Sequence, residues 1–279
     1  MLYDQLRPEE RLLVDAARKK SIRLQLHDSE QTCLHALEVS RREPFEEVIL
    51  QRCVSYFRSV HLTALLENRG INVINSSRIA LTCGNKLLAT LEMAKMKIPT
   101  PKTAVAFSVE SALKALLEIG YPAVIKPVIG SWGRLVAPLK DPESARAILE
   151  DRENMFPLYQ VYYIQEMVQR PSRDIRCFVI GNSVVAAIYR YAPPDEWRTN
   201  TSRGGRAESC KVTPEMEELA LRAASVFGEG IYGVDMMEGD KGLTIHEVNY
   251  TTEFRNSVPA TGVDIPGLIL DYAVSKVRK

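Results

Sequence analysis

Two carboxylates and one amide lie at spacings that could bring them together around a turn. The segment 233–249 consists of two strand-like runs on either side of a glycine-containing turn, which predicts a β-hairpin. If the turn is centred on Lys241, Asp235 lies opposite Glu247, and Asn249 shares their face because side chains alternate along a strand. Oxygen ligands of this kind suit Mg²⁺. Unpaired carboxylates that face each other would repel, which favours a bound cation; the alternative is a set of charged residues on a solvated sheet face.

A lysine followed by a glycine-containing loop is a second candidate site. Lys126 ends an apolar run, and Gly130 and Gly133 follow it. A lysine at a strand end, together with free backbone N–H groups of such a loop, can surround phosphate oxygens. The loop is not a Walker motif, because the lysine precedes the glycines. The alternative is an ordinary β-turn beside a solvated lysine.

Several arginines are concentrated in the stretch 190–206. They are Arg190, Arg198, Arg203 and Arg206, set against Asp195 and Glu196. Guanidinium groups bind carboxylates and phosphoryl groups through paired hydrogen bonds, which favours an anionic substrate. The alternatives are a solvated basic loop and a nucleic-acid site. The second is disfavoured because the chain as a whole is nearly neutral, with 36 Lys and Arg against 35 Asp and Glu.

Other kinds of catalytic site find no support. His246 is predicted to point to the strand face opposite Glu247, as a packed or paired histidine and not as a ligand. The chain has four histidines, none at ligand spacing with another, which argues against a zinc enzyme. It contains no Gly-x-Ser-x-Gly motif, and its five widely spaced cysteines without a C-x-x-C pair indicate reduced thiols.

The composition is that of a folded protein without a membrane span. Of 279 residues, 46% are hydrophobic and 25% are charged, and the formal net charge is +1. No apolar run approaches the roughly 18 residues of a spanning helix, and the first residues lack the apolar core of a signal peptide. We therefore expect a cytoplasmic protein that binds neither membrane nor nucleic acid. We also expect a homo-oligomer.

Alternating strand and helix patterns predict a doubly wound α/β domain over residues 1–84. The run 47–51 is typical of a buried strand, 56–68 of a helix, and 71–74 of the next strand. Elements that alternate at this spacing form a parallel sheet. The first strand, 1–3, is short, so we expect that a few residues precede it in the natural chain.

The pattern of residues 85–279 predicts two further α+β domains. Residues 85–168 combine helices and short strands into a small central lid region. Its first helix runs from Asn85 to about Met96, and the prolines of 99–101 end this helix and link it to the rest of the region. In residues 169–279, strand-like runs meet at the turns 181–183 and 238–242, which predicts an antiparallel sheet.

Six segments, read in order, resemble the ATP-grasp superfamily, specifically its RimK-like branch of carboxylate–amine ligases. The segments are 83–86, 126–134, 163–168, 173–181, 199–205, and 247–258 with 261–266. Each is modest by itself, but their common order over nearly the whole chain is specific. The resemblance implies an ATP-grasp fold, with a pre-ATP-grasp domain first, a lid second, and the metal and substrate sites in the third domain.

The resemblance also implies an ATP site. Lys86 and Lys126 would contact the phosphates, and the loop of Gly130, Ser131, Trp132, Gly133 and Arg134 would cover them. The hinge that holds adenine would be Gln165, Glu166, Met167 and Val168; Arg173, Asp174 and Arg176 would border the nucleotide, and Asn200 would reach its phosphate end. Asp235, Glu247 and Asn249 match the magnesium ligands of the family, the same trio that the hairpin geometry selects.

For the other substrates, the resemblance implies residues in and after the arginine-rich stretch. Arg190, Thr201, Arg203, Gly204 and Gly205 would hold the acceptor or acyl substrate, with Arg190 and Arg203 in catalytic roles. Asn256, Ser257 and Val258 occupy a segment that discriminates between sister ligases. Relatives in arginine biosynthesis, which take glutamate, carry Gly-Phe where this chain has Asn256 and Ser257, which favours α-aminoadipate.

Within the branch, the likeness is to ligases that join α-aminoadipate to the small acidic carrier protein LysW in lysine biosynthesis, with ATP as co-substrate. We expect this reaction of the chain. One alternative is a ligase that adds glutamate to a carrier or to a ribosomal protein. Another is a nucleotide-binding protein without catalysis, which the presence of the complete ligand trio disfavours.

Overall fold

The structure of the protein is a computed structural model that describes residues 1–37, 45, 47–199 and 204–277. Its framework is an amino-terminal group of parallel strands, a four-stranded sheet and a five-stranded sheet, with helices packed on them. The predicted combination of α/β and antiparallel α+β parts is confirmed. Within the described ranges, no helix is long and apolar enough to cross a membrane.

The amino-terminal strands are parallel, as the alternating pattern predicts. Strands β1 (Leu2–Tyr3) and β2 (His27–Asp28) form one pair, β3 (Val48–Leu50) and β4 (Asn72–Ile74) form another, and a parallel bridge between Leu2 and Gln51 joins them. The helices are α1 (Pro8–Lys19), α2 (Tyr56–Glu67) and α3 (Ser77–Cys83).

Helix α1 is absent from the sequence-based prediction. Its buried face carries Glu9 and Glu10 beside Leu13. The signal was nevertheless present in the sequence, because Leu13, Ala16 and Ala17 recur at the i, i+3, i+4 spacing of an amphipathic helix and Pro8 occupies its first position. Burial of the two carboxylates requires partners, which the tertiary structure supplies.

The central part begins with α4 (Lys86–Lys95), whose first turn is capped by Asn85; the Oδ1 atom accepts from the N–H groups of Leu87 and Leu88. The remaining elements are β5 (Thr103–Ala106), α5 (Val109–Ile119), β6 (Ala123–Lys126), β7 (Ala137–Leu139), α6 (Pro142–Glu153) and β8 (Tyr162–Glu166). The strands form an antiparallel sheet in the order β5-β8-β6-β7. Its core with α5 and α6 includes Leu116, Ile125, Leu149 and Ile164.

The carboxyl-terminal part is built on a five-stranded antiparallel sheet in the order β11-β10-β9-β12-β13. Its elements are β9 (Arg173–Ile180), β10 (Ser183–Tyr191), β11 (Arg206–Ser209), α7 (Pro214–Ser225), β12 (Ile231–Gly239), β13 (Gly242–Asn249), α8 (Ser257–Thr261) and α9 (Ile265–Ser275). The predicted hairpins at 181–183 and 238–242 are both present.

The two faces of the five-stranded sheet differ in a way that creates a site. One face is apolar and packs, through residues such as Cys177, Val234 and Val248, on a core that includes α7. The other face is apolar only near Phe178 and Ile231, where it contributes to the core with α1 and α9. Further along the same strands the side chains become charged, and this polar half faces a cavity.

A β-bulge interrupts the hairpin of β12 and β13. From Gly239 and Gly242 the pairing runs regularly to Met236 and Ile245, and then shifts by one residue so that Asp235 pairs with Glu247. The extra residue of the bulge is His246. The predicted pairing of Asp235 with Glu247 is confirmed, but it arises from a two-residue turn plus a bulge and not from a turn centred on Lys241.

Candidate functional site

A cavity of about 830 Å³ lies between the four-stranded sheet and the polar half of the five-stranded sheet. Its walls come from the ends of β6 and β8, from the loop 129–136, from the charged ends of β9, β10, β12 and β13, and from the segment 249–253. A volume of this size suits a nucleotide-sized ligand. The cavity therefore brings together most of the residues that the sequence singled out.

Lys126 lies at the inner end of β6 and is only 6% exposed. Its Nζ atom lies 2.5 Å from Oε1 of Gln165 and 3.2 Å from Nδ1 of His246. Burial lowers the pKa of the Lys126 ammonium to about 7, although the carboxylate of Glu247 opposes this shift. An anionic ligand such as a phosphate would favour the charged form, so the site is suited to one.

His246 lines the same cavity as Glu247. The prediction that it points to the opposite strand face is wrong, because the bulge places both side chains on one side of the sheet. The prediction that it is paired is confirmed by its contact with Lys126. Burial lowers the pKa of the imidazole well below its usual value, with the charge of Lys126 as the next cause, so the neutral ring can accept a hydrogen bond from the ammonium.

The glycine-containing loop closes one side of the cavity. All five of its predicted residues line the cavity: Gly130, Ser131, Trp132, Gly133 and Arg134. Lys86 donates from Nζ to the carbonyl oxygen of Gly130 at 2.8 Å. Trp132 donates from Nε1 to Oε1 of Glu253 at 2.8 Å, and the guanidinium of Arg134 lies 4.6 Å from the centre of the Trp132 rings. These contacts hold the loop close to Lys86, one of the two lysines predicted to bind phosphate.

The predicted hinge consists of the last two residues of β8 and the two residues that follow it. Glu166, Met167 and Val168 line the cavity, in keeping with a role beside a base. Gln165 also lines it, but its side chain accepts from Lys126 and donates to Thr103 Oγ1 at 3.0 Å. Its amide therefore orients the lysine, which the sequence pattern does not reveal.

The proposed metal-binding trio is grouped on one face of the hairpin. Asn249 Nδ2 lies 3.2 Å from Oδ2 of Asp235, and Asp235 pairs with Glu247 across the strands. Among the described residues, no three His, Cys, Asp or Glu side chains cluster closely enough to hold a metal alone. Two carboxylates and one amide oxygen instead fit a hard cation that takes its other ligands from phosphates and water.

The two carboxylates are not unpaired, and this part of the prediction is wrong. Asp235 accepts two hydrogen bonds of 2.7 Å from Arg176, and Arg190 lies 3.0 Å away. Glu247 Oε1 lies 3.0 Å from Nζ of Lys86. Burial alone would raise the pKa of the Asp235 carboxyl, but the two guanidinium groups hold it below its ordinary range. Repulsion between the carboxylates therefore gives no argument for a metal ion here.

Arg190 is the centre of a buried network at the floor of the cavity. It is 4% exposed and donates two hydrogen bonds of 2.7 Å to Asp174. Thr199 donates to the same carboxylate. Burial opposes the charge of Arg190, but Asp174 and Asp235 raise its pKa, so the guanidinium stays charged.

Beside this network lies a small recess lined by Arg176, Arg190, Glu253, Arg255, Asn256 and Ser257, together with Ile188. It brings Asn256 and Ser257, from the predicted discriminating segment, next to two arginines of the sheet. Val258, Gly204 and Gly205 line neither the cavity nor the recess. Asn200, Thr201 and Arg203 lie outside the described residues, so their predicted roles remain predictions.

Arg173 lies away from the cavity. Its guanidinium donates to Glu238 at 2.9 Å and stacks 4.0 Å from the ring centre of Tyr189. Asp174 and Arg176 face the cavity, and alternation along β9 turns Arg173 to the opposite face. The same alternation, applied to the sequence, would have separated Arg173 from its neighbours.

Several cavity residues were missed by the sequence analysis. Arg170 lines the cavity between the two sheets. Arg198 donates to the carbonyl oxygens of Gly133 and Val136, at 3.1 and 3.3 Å, and so binds the loop from the opposite side. Arg7 and Glu253 join across the mouth of the cavity at 3.4 Å. Of these, Arg198 belongs to the arginine-rich stretch 190–206, but its contact with the loop is not visible in that pattern. Arg7, Arg170 and Glu253 belong to no local pattern that indicates this site.

Comparison with known proteins identifies the architecture. A model of the RimK-like ATP-grasp domain matches residues 83–273, and a model of the LysX preATP-grasp domain matches residues 1–82. A solved RimK-domain ATP-grasp protein of Sphaerobacter thermophilus has a TM-score of 0.80 at 26% identity, covering 98% of this chain and 99% of that one.

Two curated relatives differ in substrate. The α-aminoadipate–LysW ligase LysX of Saccharolobus solfataricus is 39% identical over 235 residues, which are 84% of this chain and 85% of that protein. The glutamate–LysW ligase ArgX of Sulfurisphaera tokodaii is 32% identical over 281 residues, covering 100% of this chain and 99% of that protein. Both family and fold agree with the resemblance seen in the six segments. The chain belongs to the RimK-like ATP-grasp family and is an ATP-dependent ligase that forms a carbon–nitrogen bond.

Proposed function

We propose that the protein joins the α-amino group of α-aminoadipate to the side-chain carboxylate of the carboxyl-terminal glutamate of LysW, in lysine biosynthesis. The observation that carries this proposal is the position of Asn256 and Ser257 beside Arg176 and Arg190, around a recess of about 10 Å³. The recess is the size of one water molecule, so it would contact one end of the amino acid, and the rest would lie in the adjoining cavity. Arginines are suited to the carboxylates of a dicarboxylic amino acid. Small polar side chains leave more length in the recess than a Gly-Phe pair would. The 39% identity with a LysX enzyme supports the same substrate.

The reaction begins with phosphorylation of the carrier carboxylate. A carboxylate oxygen attacks the γ-phosphorus of ATP, the bond from that phosphorus to the β–γ bridging oxygen breaks, and ADP leaves. Lys86 and Lys126 are positioned to neutralise charge on the transferring oxygens. The loop 130–134 lies over the same region and would exclude water, which otherwise hydrolyses the acyl phosphate.

The second step forms the amide. The α-amino nitrogen attacks the acyl carbon, inorganic phosphate leaves with the bonding electrons, and the nitrogen loses a proton. Binding the amino acid between the recess and the acyl phosphate would hold the two reacting groups at attack distance, which is a large part of catalysis in such reactions. Arg190 lines both the cavity and the recess and lies 3.0 Å from Asp235 of the metal-binding trio, and we assign it to the charge that develops there.

Mg²⁺ is the cation that we assign to Asp235, Glu247 and Asn249. When bound, it would neutralise negative charge on the phosphates of ATP. Glu247→Gln keeps the size of the side chain and lowers the negative charge of the site. We expect turnover at about millimolar Mg²⁺ to fall by orders of magnitude, with partial recovery at higher Mg²⁺. Near-normal ligation at ordinary Mg²⁺ would show that the metal assignment is wrong.

The proposed reaction is tested by ADP release with purified LysW and either α-aminoadipate or glutamate. We expect turnover to require both carrier and amino acid, and kcat/KM to be higher for α-aminoadipate. One methylene is worth only about 1–3 kcal/mol, so selectivity should be partial. A wild-type enzyme that prefers glutamate would overturn the substrate assignment.

Glutamate is the second candidate substrate, favoured by the match of the glutamate–LysW ligase ArgX along the whole chain. Replacing Asn256 and Ser257 by Gly and Phe separates the two. The ring would occupy the recess and shorten it, so the ratio of kcat/KM values should shift toward glutamate while ATP affinity is retained. An unchanged ratio would show that this segment does not select the amino acid.

A further inference from the structure

A buried ion network connects helix α1 to the loop after β3. Glu9 is 1% exposed, Glu10 is fully buried and Arg52 is 5% exposed. Arg52 Nε donates to Oε1 of Glu10 at 2.9 Å, and Arg7 donates to both oxygens of the same carboxylate, at 3.0 and 2.9 Å. These residues lie in the amino-terminal part of the chain, outside the site described above except for Arg7.

The network also contacts every residue of the segment 252–255. Arg52 Nη1 donates to the carbonyl oxygen of Thr252 at 3.1 Å, and its guanidinium lies 5.6 Å from the ring centre of Phe254. Arg7 lies 3.4 Å from Glu253. The N–H group of Arg255 donates to Oε1 of Glu9 at 3.2 Å. Each of these four successive residues is thus in contact with a charged side chain of the amino-terminal part.

Stability alone is a poor reason for such an arrangement. Buried ion pairs often contribute less than well-packed apolar residues of the same size, because their desolvation is costly. Here Nη2 of Arg52 is buried and finds no hydrogen-bond partner among the described residues, which adds to the cost. A directional role explains the network better, since hydrogen bonds to backbone atoms fix the path of a chain in a way that apolar contacts do not.

The segment 252–255 forms part of the lining of the site and leads directly to the residues of the recess. Thr252 and Glu253 line the cavity, and Asn256 and Ser257, directly beyond it, line the recess. We infer that Glu9 and Arg52 are positioning residues, which hold the backbone of 252–255 so that the following residues face the substrate arginines. This inference rests on the proposed function for the assignment of the recess to the amino acid. It gives the amino-terminal domain a direct part in amino-acid binding.

Glu9 offers the sharpest test because it contacts a backbone N–H group. Glu9→Leu removes the acceptor, whereas Glu9→Gln keeps an oxygen at the same place. We expect KM for the amino acid to rise about tenfold in Glu9→Leu, with ATP affinity measured by calorimetry changed less than twofold. Glu9→Gln should restore most of the amino-acid affinity.

Two further variants separate positioning from loss of stability. Arg52→Lys retains a cation for Glu10 but lacks the second nitrogen that reaches Thr252, so it should raise KM for the amino acid severalfold. This variant also tests the inference if Glu9→Leu fails to fold. Val73→Ala weakens the core of the amino-terminal sheet without touching 252–255 and should leave KM unchanged. A similar rise of KM in Val73→Ala, or none in the Glu9 and Arg52 variants, would overturn the inference.

Hydrogen–deuterium exchange provides a readout that does not depend on the substrate. Peptides covering 250–258 should exchange faster in Glu9→Leu and Arg52→Lys than in wild type, and at wild-type rates in Val73→Ala. Unchanged exchange in the first two variants would overturn the inference even if the enzyme is active. If the wild type prefers glutamate, the substrate assignment fails, and the same comparison of KM is made with glutamate.

Discussion

Lys126 has an unusually low pKa for a lysine. Burial brings the pKa of its ammonium to about 7, whereas an ordinary lysine has a pKa of about 10.4. Gln165 and His246 both accept from it, so its direction is fixed even when no ligand is bound. The side chain is therefore preorganised for an anion but only partly charged near neutral pH.

ATP binding at pH 8 should take up a proton. The free protein holds Lys126 mostly neutral above pH 7, and phosphate oxygens would raise its pKa again, so up to about 0.9 proton enters with each ATP. Calorimetry in buffers of different ionisation enthalpy measures this number. Near pH 5.5 the uptake from this residue should vanish, because the lysine is already charged.

The control is Lys126→Met, which keeps the apolar stem and removes the ammonium. It should lose the proton uptake and bind ATP more weakly by about 1.5–3 kcal/mol, the usual contribution of a hydrogen bond to a charged group. Its affinity for the amino acid should change little. The same uptake in wild type and variant would show that another group titrates.

At the scale of elements, the hairpin of β12 and β13 owes its chemistry to the bulge. Ile245 and Val248 both face the apolar core although they are three residues apart, so the strand must accommodate one extra residue between them. That residue, His246, is thereby turned toward Lys126. The uneven spacing of the two apolar residues is the one sequence signal that could have revealed the bulge.

Deleting His246 should remove the bulge and keep the site in register. A regular hairpin with the same two-residue turn pairs Asp235 with Glu247 and Gly233 with Asn249 once one residue is lost. We expect a folded protein by circular dichroism that binds ATP more weakly, because Lys126 loses one acceptor. His246→Asn, which retains an acceptor, should be affected less.

The deletion gives a clear outcome in either direction. Magnesium-dependent turnover that is reduced but still present would agree with an intact ligand trio. An ATP affinity equal to that of the wild type would contradict the role assigned to the imidazole. Deleting Thr244 is the matched comparison, because it removes a residue from the regularly paired part of the same strand.

At the scale of the molecule, side chains from distant parts of the chain hold the loop over the cavity. Lys86, in α4, donates to Gly130. Arg198, in the arginine-rich stretch, donates to Gly133 and Val136. Glu253, in the segment after β13, accepts from Trp132. Closure of the loop is therefore linked to the order of these parts. A loop of this kind protects a reactive intermediate from water.

Trp132→Phe should make the loop more mobile while an aromatic ring still fills the position of the tryptophan. The ring is kept, but the hydrogen bond to Glu253 is lost, so the loop should open more often. We expect ADP release in the absence of amino acid to rise several-fold relative to ligation. Glu253→Gln, which retains an acceptor for the tryptophan, should show a smaller rise, and an unchanged ratio in Trp132→Phe would argue against this closure.

The sequence by itself determined the features that depend on local spacing. The strand-like runs on either side of 238–242 marked the hairpin, and the lysine-glycine pattern marked the loop after Lys126. Such features are set by neighbouring residues, whose geometry is regular. The pairing of Asp235 with Glu247 depends in addition on the bulge. The same regularity, applied without knowledge of the bulge, turned His246 the wrong way.

Only the tertiary structure decided which charges meet. Arg176 reaches Asp235 from a neighbouring strand, and Arg52 reaches Thr252 across 200 positions of sequence. No periodicity connects such partners, because a buried charge is satisfied by whatever group the packing brings within a few ångströms. For this reason the sequence indicated the carboxylates of the site, but the fold decided that they are paired and that side chains of the amino-terminal domain contact the segment 252–255.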